Sequence, residues 1–274
     1  MSQPRIRLWR ELTTTDFTGL DAETTLALLP LAATEQHGPH LPLSTDADIA
    51  DGVIARTSEL LTGDFDLLVM PRLDIGLSPE HADFPGTLTL EPETMIAVLR
   101  QIGTGVADAG LRKLVVFNTH GGQSRILDIA AQALRRSQGM LVVCVNLYRL
   151  WRAEELFAED EVRHGIHAGA VETSIMLHLR PDLVRREAIA DNPSLSARMA
   201  EDYRRLTPFG ELGFGWQTQD LSPTGALGNA GLASAEAGKK LVERAAEAAA
   251  ELLGEVARLP LSTLKEKRGK KGTF

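Results

Sequence analysis

The sequence predicts an α/β protein with a mainly parallel sheet covered by helices. Three observations carry this. Short apolar runs without helical spacing recur along the chain, each is followed by apolar residues on a helical period, and polar or glycine-bearing turns join them in a β-α-β rhythm. At 274 residues the chain can bury one sizeable core. No internal repeat or linker divides it, so a single domain is expected over residues 1–264, followed by a basic, disordered tail over 265–274.

Taken in order, residues 25–33 form a short apolar run readable as a buried parallel strand. From Asp46 the apolar residues Ile49, Val53, Leu60 and Leu61 fall on a helical period, with Ser44, Thr45 and Asp46 all able to cap it. Residues 66–70 read as the second strand, stopped by Pro71. The Gly/Pro/Ser-rich loop at 74–90 is longer than a simple connection and is therefore a candidate for function.

A helix follows from about Glu91, with Pro92 in its first turn, an apolar face of Met95, Val98, Ile102 and Val106, and Gly110 as its stop. The third strand, residues 114–117, runs into Asn118-Thr119-His120-Gly121-Gly122. The next helix sends Ile126, Ile129, Ala130 and Leu134 toward a core, and residues 140–146 form the fourth strand. His167 precedes an apolar helix whose first turn holds Glu172. Residues 190–232 read as irregular, a lid or an oligomer contact, and residues 233–259 as a strong final helix with Leu241, Ala245, Ala248, Leu252 and Val256 on one face.

Composition narrows the function classes. The chain is 43% hydrophobic and 24% charged, as in an ordinary globular protein. Its formal charge is -8, and without the +4 tail formed by Lys265, Lys267, Arg268, Lys270 and Lys271 against Glu266 the body stands at -12. No nucleic-acid partner is expected for such a body. No stretch approaches the roughly 18 apolar residues of a membrane span, and no secretory leader is legible, so no membrane association and a cytoplasmic location are expected. Cys144, the single cysteine, sits inside an apolar run and reads as a buried small hydrophobe.

Chemistry concentrates at the inferred strand ends. Glu35 and His37, two residues apart in an extended segment, can ligate from one side while Gln36 faces elsewhere. A carboxylate and an imidazole so placed suit a borderline divalent ion such as Zn, Mn or Fe. Asp46, folded back from the next helix, could bridge two ions. His120 could close the site from a neighbouring strand end, and Glu172 could supply a further carboxylate. Spacing alone leaves other readings open: a salt-bridged surface turn for Glu35 and His37, a helix cap for Asp46, a backbone-bonded loop residue for His120. His40 and Asp48 read as supporting or solvated residues.

The string Glu35-Gln36-His37-Gly38-Pro39-His40-Leu41-Pro42 with Asp46, the segment Glu80-His81-Ala82-Asp83-Phe84-Pro85-Gly86-Thr87, then Asn118-Thr119-His120-Gly121-Gly122 and His167-Ala168-Gly169-Ala170-Val171-Glu172-Thr173-Ser174 together resemble the creatininase (creatinine amidohydrolase) family. The resemblance implies a three-layer α/β/α sandwich, two divalent metal ions per subunit, hydrolysis of a cyclic or acyclic small-molecule amide, and a homohexamer. Carried over by motif, Glu35 and His120 would hold one ion, His37 the other, and Asp46 would bridge them. His167 matches a family histidine near the reacting centre.

Two departures argue against creatinine as the substrate. Gly122 stands where creatininase has a metal-ligating glutamate, and Ile166 stands where it has a glutamate before the motif histidine. Glu172 is then the candidate acid for the second ion. The Gly-Gly motif resembles a subgroup that includes formamide deformylases and a peptidase trimming a precursor peptide. The expected activity is that of a metal-dependent amidohydrolase, acting on carbon–nitrogen bonds other than ordinary peptide bonds through a metal-bound hydroxide. His167 is the favoured proton carrier, with Glu172 or Glu80 as alternatives. Zinc is the expected metal, and Trp216 is a candidate for shaping the pocket. A peptidase-like maturation enzyme and a non-catalytic, metal-stabilised binding protein are the competing readings.

Overall fold

Thr25–Leu31 is buried at every position, and a strand without a solvent face belongs in the middle of a parallel sheet. In the computed structural model, which describes residues 3–209 and 212–265, this is the central strand of five. Apart from Lys265, the expected basic tail lies outside the described residues. The elements run β1 (Arg5–Leu8), β2 (Thr25–Leu31), α1 (Thr45–Leu60), β3 (Asp66–Val69), α2 (Pro92–Asp108), β4 (Lys113–Asn118), α3 (Ser124–Gln138) and β5 (Leu141–Asn146). The sheet order is β1-β3-β2-β4-β5, with every pair parallel.

Alternation along the strands divides the core between two faces. Leu26 and Leu28 of β2, Leu67 of β3 and Val115 and Phe117 of β4 pack with Ile49 and Val53 of α1. Their neighbours Ala27, Leu29, Leu68, Leu114 and Val116 face the other way, onto Met95, Leu99 and Val106 of α2 and Leu127, Ala130 and Leu134 of α3. The expected three-layer α/β/α sandwich is the observed one. The edge strand β1 has no counterpart in the sequence reading. It is short and partly exposed, and Arg5 and Arg7 tie it to Asp66 of β3.

Past β5 come α4 (Glu159–His164), α5 (Ala170–Leu179), β6 (Asp191–Asn192), α6 (Leu195–Asp202), α7 (Thr218–Leu221), β7 (Gly228–Asn229) and α8 (Ala235–Arg258). Both α5 and α8 join α1 on its face of the sheet. Residues 190–232, read as irregular, hold α6, α7 and the two-stranded pair β6-β7. Among the described residues no helix is long and apolar enough to cross a membrane.

Several local expectations need correction. Ile129, expected in the core, is 56% exposed, and Leu127 takes its place one ridge away. On α8 the buried stripe is Leu241, Ala245, Ala249, Leu253 and Val256, leaving Ala248 and Leu252 only half-buried. Cys144 is half-buried on the edge strand β5 rather than fully buried, and desolvation pushes its thiol up to about 12, which keeps it inert. The stop of α2 is as expected, with Gly110 at φ +91° supplying the left-handed turn.

The topology decides where a site can form. From β2 the chain leaves through α1 toward β3, whereas from β4 it leaves through α3 toward β5, on the opposite face. The loops after these adjacent strands therefore diverge and open a crevice at their carboxyl ends. The far wall of that crevice depends on how closely α8 approaches α5. At Gly238 a Cβ would collide with the backbone oxygen of Ser174, so Gly238→Ala should lower stability by about 2 kcal/mol, read as a lower urea midpoint at unchanged slope.

Candidate metal centre

The chain leaves β2 into a tight turn rather than a longer strand. Gly38 takes φ +66°, and His37 pairs with Leu41 in a one-residue antiparallel bridge. Glu35 and His37 are both 1% exposed. Asp46, in the first turn of α1, is also buried. Its candidacy as a cap is not realised: Ser44 occupies the cap position without a capping bond, its hydroxyl donating instead to Asp48. After β4, Asn118 donates to the backbone oxygen of His120 at 2.7 Å and accepts from Gln123 at 2.8 Å, which fixes the loop carrying His120. The segment before α5 supplies His167, and the first turn of α5 supplies Glu172. A single 3-10 turn over Pro79–His81 adds Glu80 and His81 from the loop after β3.

These groups converge on one carboxylate oxygen. Glu35 Oε1 lies 3.1 Å from His120 Nδ1, 3.6 Å from His81 Nε2, 3.8 Å from His167 Nδ1 and 3.9 Å from His37 Nε2. His37 Nε2 is also 3.9 Å from Asp46 Oδ1 and from Glu172 Oε2, and His120 Nδ1 is 3.8 Å from Asp46 Oδ2. Three trios have ligand atoms within 4.8 Å of one another: Glu35, Asp46 and His120; His37, Asp46 and Glu172; Glu35, His37 and His167. The first two share Asp46.

The outward nitrogens are occupied. His37 Nδ1 lies 3.1 Å from the backbone oxygen of Glu35, His120 Nε2 is 3.0 Å from that of Leu77, and His167 Nε2 is 2.7 Å from that of Gln36. A carbonyl only accepts, so each of these nitrogens carries the proton. His120 also turns Nδ1 to Glu35 Oε1 at 3.1 Å, and against burial the Glu35 and Glu80 carboxylates raise it well above the ordinary imidazole range. Glu35 Oε2, His37 Nε2 and Asp46 Oδ2 are buried with no hydrogen-bond partner. Orphaned acceptors of this kind are rare in a folded interior, and a divalent cation with oxygen and imidazole ligands would satisfy all three at once.

Electrostatics point the same way. Burial, then the nearby Glu35 charge, raises Asp46 well above the usual carboxylate range, and burial also raises Glu172. Burial opposes ionisation of Glu35 too, but the imidazoles of His120 and His81 hold its pKa well below normal. Burial and the neighbouring His167 push His37 down to about 3, so it is neutral and able to ligate.

The remaining candidates divide. Glu80 reaches His120 Nε2 at 3.4 Å and stays outside the three trios. Its Oε1 fills the space above Gly122, where a Cβ would collide with it. His40 bonds Thr173 of α5 at 2.9 Å and so braces the helix that carries Glu172. Asp48 pairs with Arg180 away from the cluster. Trp216 packs on Phe209 and donates to the Pro208 oxygen, so its contacts lie in its own segment. Two participants were not anticipated. Gln36, expected to face elsewhere, lies between His81 and His167, at 2.7 and 3.2 Å. His81 is buried beside Glu35 although Glu80 is the member of that pair singled out in the sequence; the only available signal was its place in the Glu80–Thr87 motif.

Residues 10–253 match the family model described as creatininase, creatinine amidohydrolase. The chain is 31% identical over 245 residues to a mycofactocin precursor peptide peptidase of Mycobacterium ulcerans, covering 86% of this chain and 88% of that protein. It is also 31% identical over 182 residues to a creatinine amidohydrolase of Pseudomonas putida, covering 61% and 68%. A solved manganese form of creatininase superposes with a TM-score of 0.73 at 27% identity, over 90% of this chain and 97% of that one.

Asp46 gives a direct check on the electrostatics. Its raised pKa means that folding disfavours its charge, so it weakens the cation-free fold at neutral pH and the weakening is relieved as pH falls through the raised pKa. Asp46→Asn should therefore raise the thermal midpoint of chelator-treated protein at pH 7, with the gain shrinking in acid.

Proposed function

We propose that this chain, which belongs to the creatininase family, hydrolyses an amide carbon–nitrogen bond in a small molecule at a site holding two divalent ions. The observation that carries the reading is the set of three orphaned acceptors, Glu35 Oε2, His37 Nε2 and Asp46 Oδ2, inside one buried cluster. Glu35, Asp46 and His120 would hold one ion; His37, Asp46 and Glu172 would hold the other. Zinc is the first choice, with manganese or iron as alternatives. Such ions, when bound, make a water nucleophilic near neutral pH and polarise a carbonyl.

The proton work falls to side chains already oriented for it. His167 donates from Nε2 to the Gln36 oxygen, which leaves Nδ1 as an acceptor on the cluster side. It takes a proton there from the attacking water. As water oxygen bonds to the carbonyl carbon and the carbon–nitrogen bond breaks, His167 passes that proton to the leaving nitrogen, giving a carboxylic acid that keeps the second water proton and an amine, which at neutral pH exchange that proton to become carboxylate and ammonium. Glu172 accepts from the Ala168 amide at 2.6 Å, an anchor that suits a ligand better than a mobile acid or base. Glu80, against His120 Nε2, is the reserve proton carrier.

Creatinine is not the proposed substrate, because Gly122 and Ile166 stand where the motifs of creatininase carry acids. A cyclic amide or a formamide is the first reading. Cleavage near the end of a precursor peptide is the second, supported by the 31% identity to the Mycobacterium ulcerans peptidase. A cytoplasmic, single-domain subunit in a homohexamer completes the proposal.

Creatinine, N-formyl compounds, small lactams and peptides cleaved at their C-terminal dipeptide should be screened with metal analysis before and after chelation. One class should turn over, only with metal present, and His37→Ala and Asp46→Ala should each abolish turnover while circular dichroism stays native. Full activity in either variant sinks the site assignment. Two tightly held ions without turnover on any class would instead mark a metal-stabilised binding protein.

A further inference from the structure

Among the imidazoles around Glu35, His81 is held differently from the rest. His37, His120 and His167 each place one ring nitrogen on a backbone carbonyl, which puts the proton on the outward side. His81 has no carbonyl at its outward nitrogen. Its Nδ1 instead meets the side-chain nitrogen of Gln36 at 2.7 Å and the hydroxyl of Thr218 at 2.8 Å.

The orientation of the Gln36 amide is determined by its other partners. Its oxygen accepts from the Gly38 N–H at 2.8 Å, and its nitrogen donates to the Gly225 oxygen at 3.1 Å. Reversing the amide would set donor against donor and acceptor against acceptor, so the nitrogen faces the histidines. An amide nitrogen only donates. One of its hydrogens goes to Gly225. The other cannot go to His167 Nε2, which already carries a proton for the Gln36 backbone oxygen at 2.7 Å. It goes to His81 Nδ1. Thr218 then donates to the backbone oxygen of Glu80 at 2.8 Å, and every donor in this corner has an acceptor.

We propose that Gln36 holds His81 in the tautomer protonated at Nε2, so that His81 turns an N–H toward the Glu35 carboxylate and helps to position it. Glu35 Oε1, 3.6 Å from His81 Nε2, is the carboxylate oxygen that this N–H faces, while Oε2 has no hydrogen-bond partner. A carboxylate that ligates a metal is itself steadied by hydrogen bonds, and His81, stacked on His167 with ring centroids 4.2 Å apart, has little freedom to turn.

The inference rests on the two-ion reading for its purpose but not for its hydrogen bonds, and the test separates the two. Long-range proton–nitrogen correlation spectra of 15N-histidine-labelled full-length protein, with and without zinc, should show His81 with a bare Nδ1 and a protonated Nε2 in both states. A protonated Nδ1 would overturn the proposal. Gln36→Glu, which replaces the donor by an acceptor, should invert the His81 pattern; an unchanged pattern would overturn the role of Gln36. Should that variant fail to fold, His81 itself supplies the test. Zinc affinity, measured by competition with a chromogenic chelator, should fall about 10–100-fold in His81→Met and recover in His81→Gln, whose amide returns a donor near the Nε2 position. Equal losses in both would refute the positioning role. A wild type that binds no divalent ion would defeat the two-ion reading, while the spectra would still decide the tautomer.

Discussion

Four carboxylates, those of Glu35, Asp46, Glu80 and Glu172, meet the imidazoles of His37, His81, His120 and His167 in a space largely closed to water. Unpaired buried charge is among the most costly features a fold can carry. The rest of the structure reads as the means of bearing it. The divergence of the loops after β2 and β4 opens the crevice, and α5, sealed under α8, supplies a rigid first turn for Glu172. Backbone carbonyls take the outward imidazole protons. What these devices leave unsatisfied is a small group of inward acceptors.

Supporting residues are chosen with the same economy. Asn118 and Gln123 brace the His120 loop, His40 and Thr173 brace α5, and Gln36 bridges the turn after β2 to the segment at Gly225. None of these side chains is a member of a ligand trio, yet each sits next to one. Geometry at a site of this kind has to hold within a fraction of an ångström, and such neighbours are what hold it.

Much of this was legible in the sequence because burial leaves a periodic trace. A strand sealed on both faces is an unbroken apolar run, which is why β2 and β4 stand out. The short edge strand β1 does not, since half of its residues are arginines bonded to Asp66. Ile129 was misplaced for the opposite reason: an apolar residue near the edge of a helix stripe says nothing about whether a neighbour covers it. At the site, Glu35, His37, Asp46, His120 and Glu172 could be singled out because acids and histidines cluster at strand ends. Gln36 and His81 could not. Their direction is set by a turn at Gly38 and a 3-10 turn at Pro79–His81, where no period applies and partners from Thr218 and Gly225 decide the outcome.

The partnership between the turn after β2 and the segment at 218–227 also has a bearing on how the molecule assembles. Gln36 waits for Gly225, His167 for Leu227 and the Glu80 turn for Thr218, contacts separated by up to 189 residues along the chain. Closing such long loops is the slow, entropically unfavourable part of folding. During synthesis the sheet and its first helices emerge well before these late partners. Ligand geometry of native quality is therefore a property of the finished chain, and a growing or truncated one would hold the same acids and histidines without the order that makes them selective.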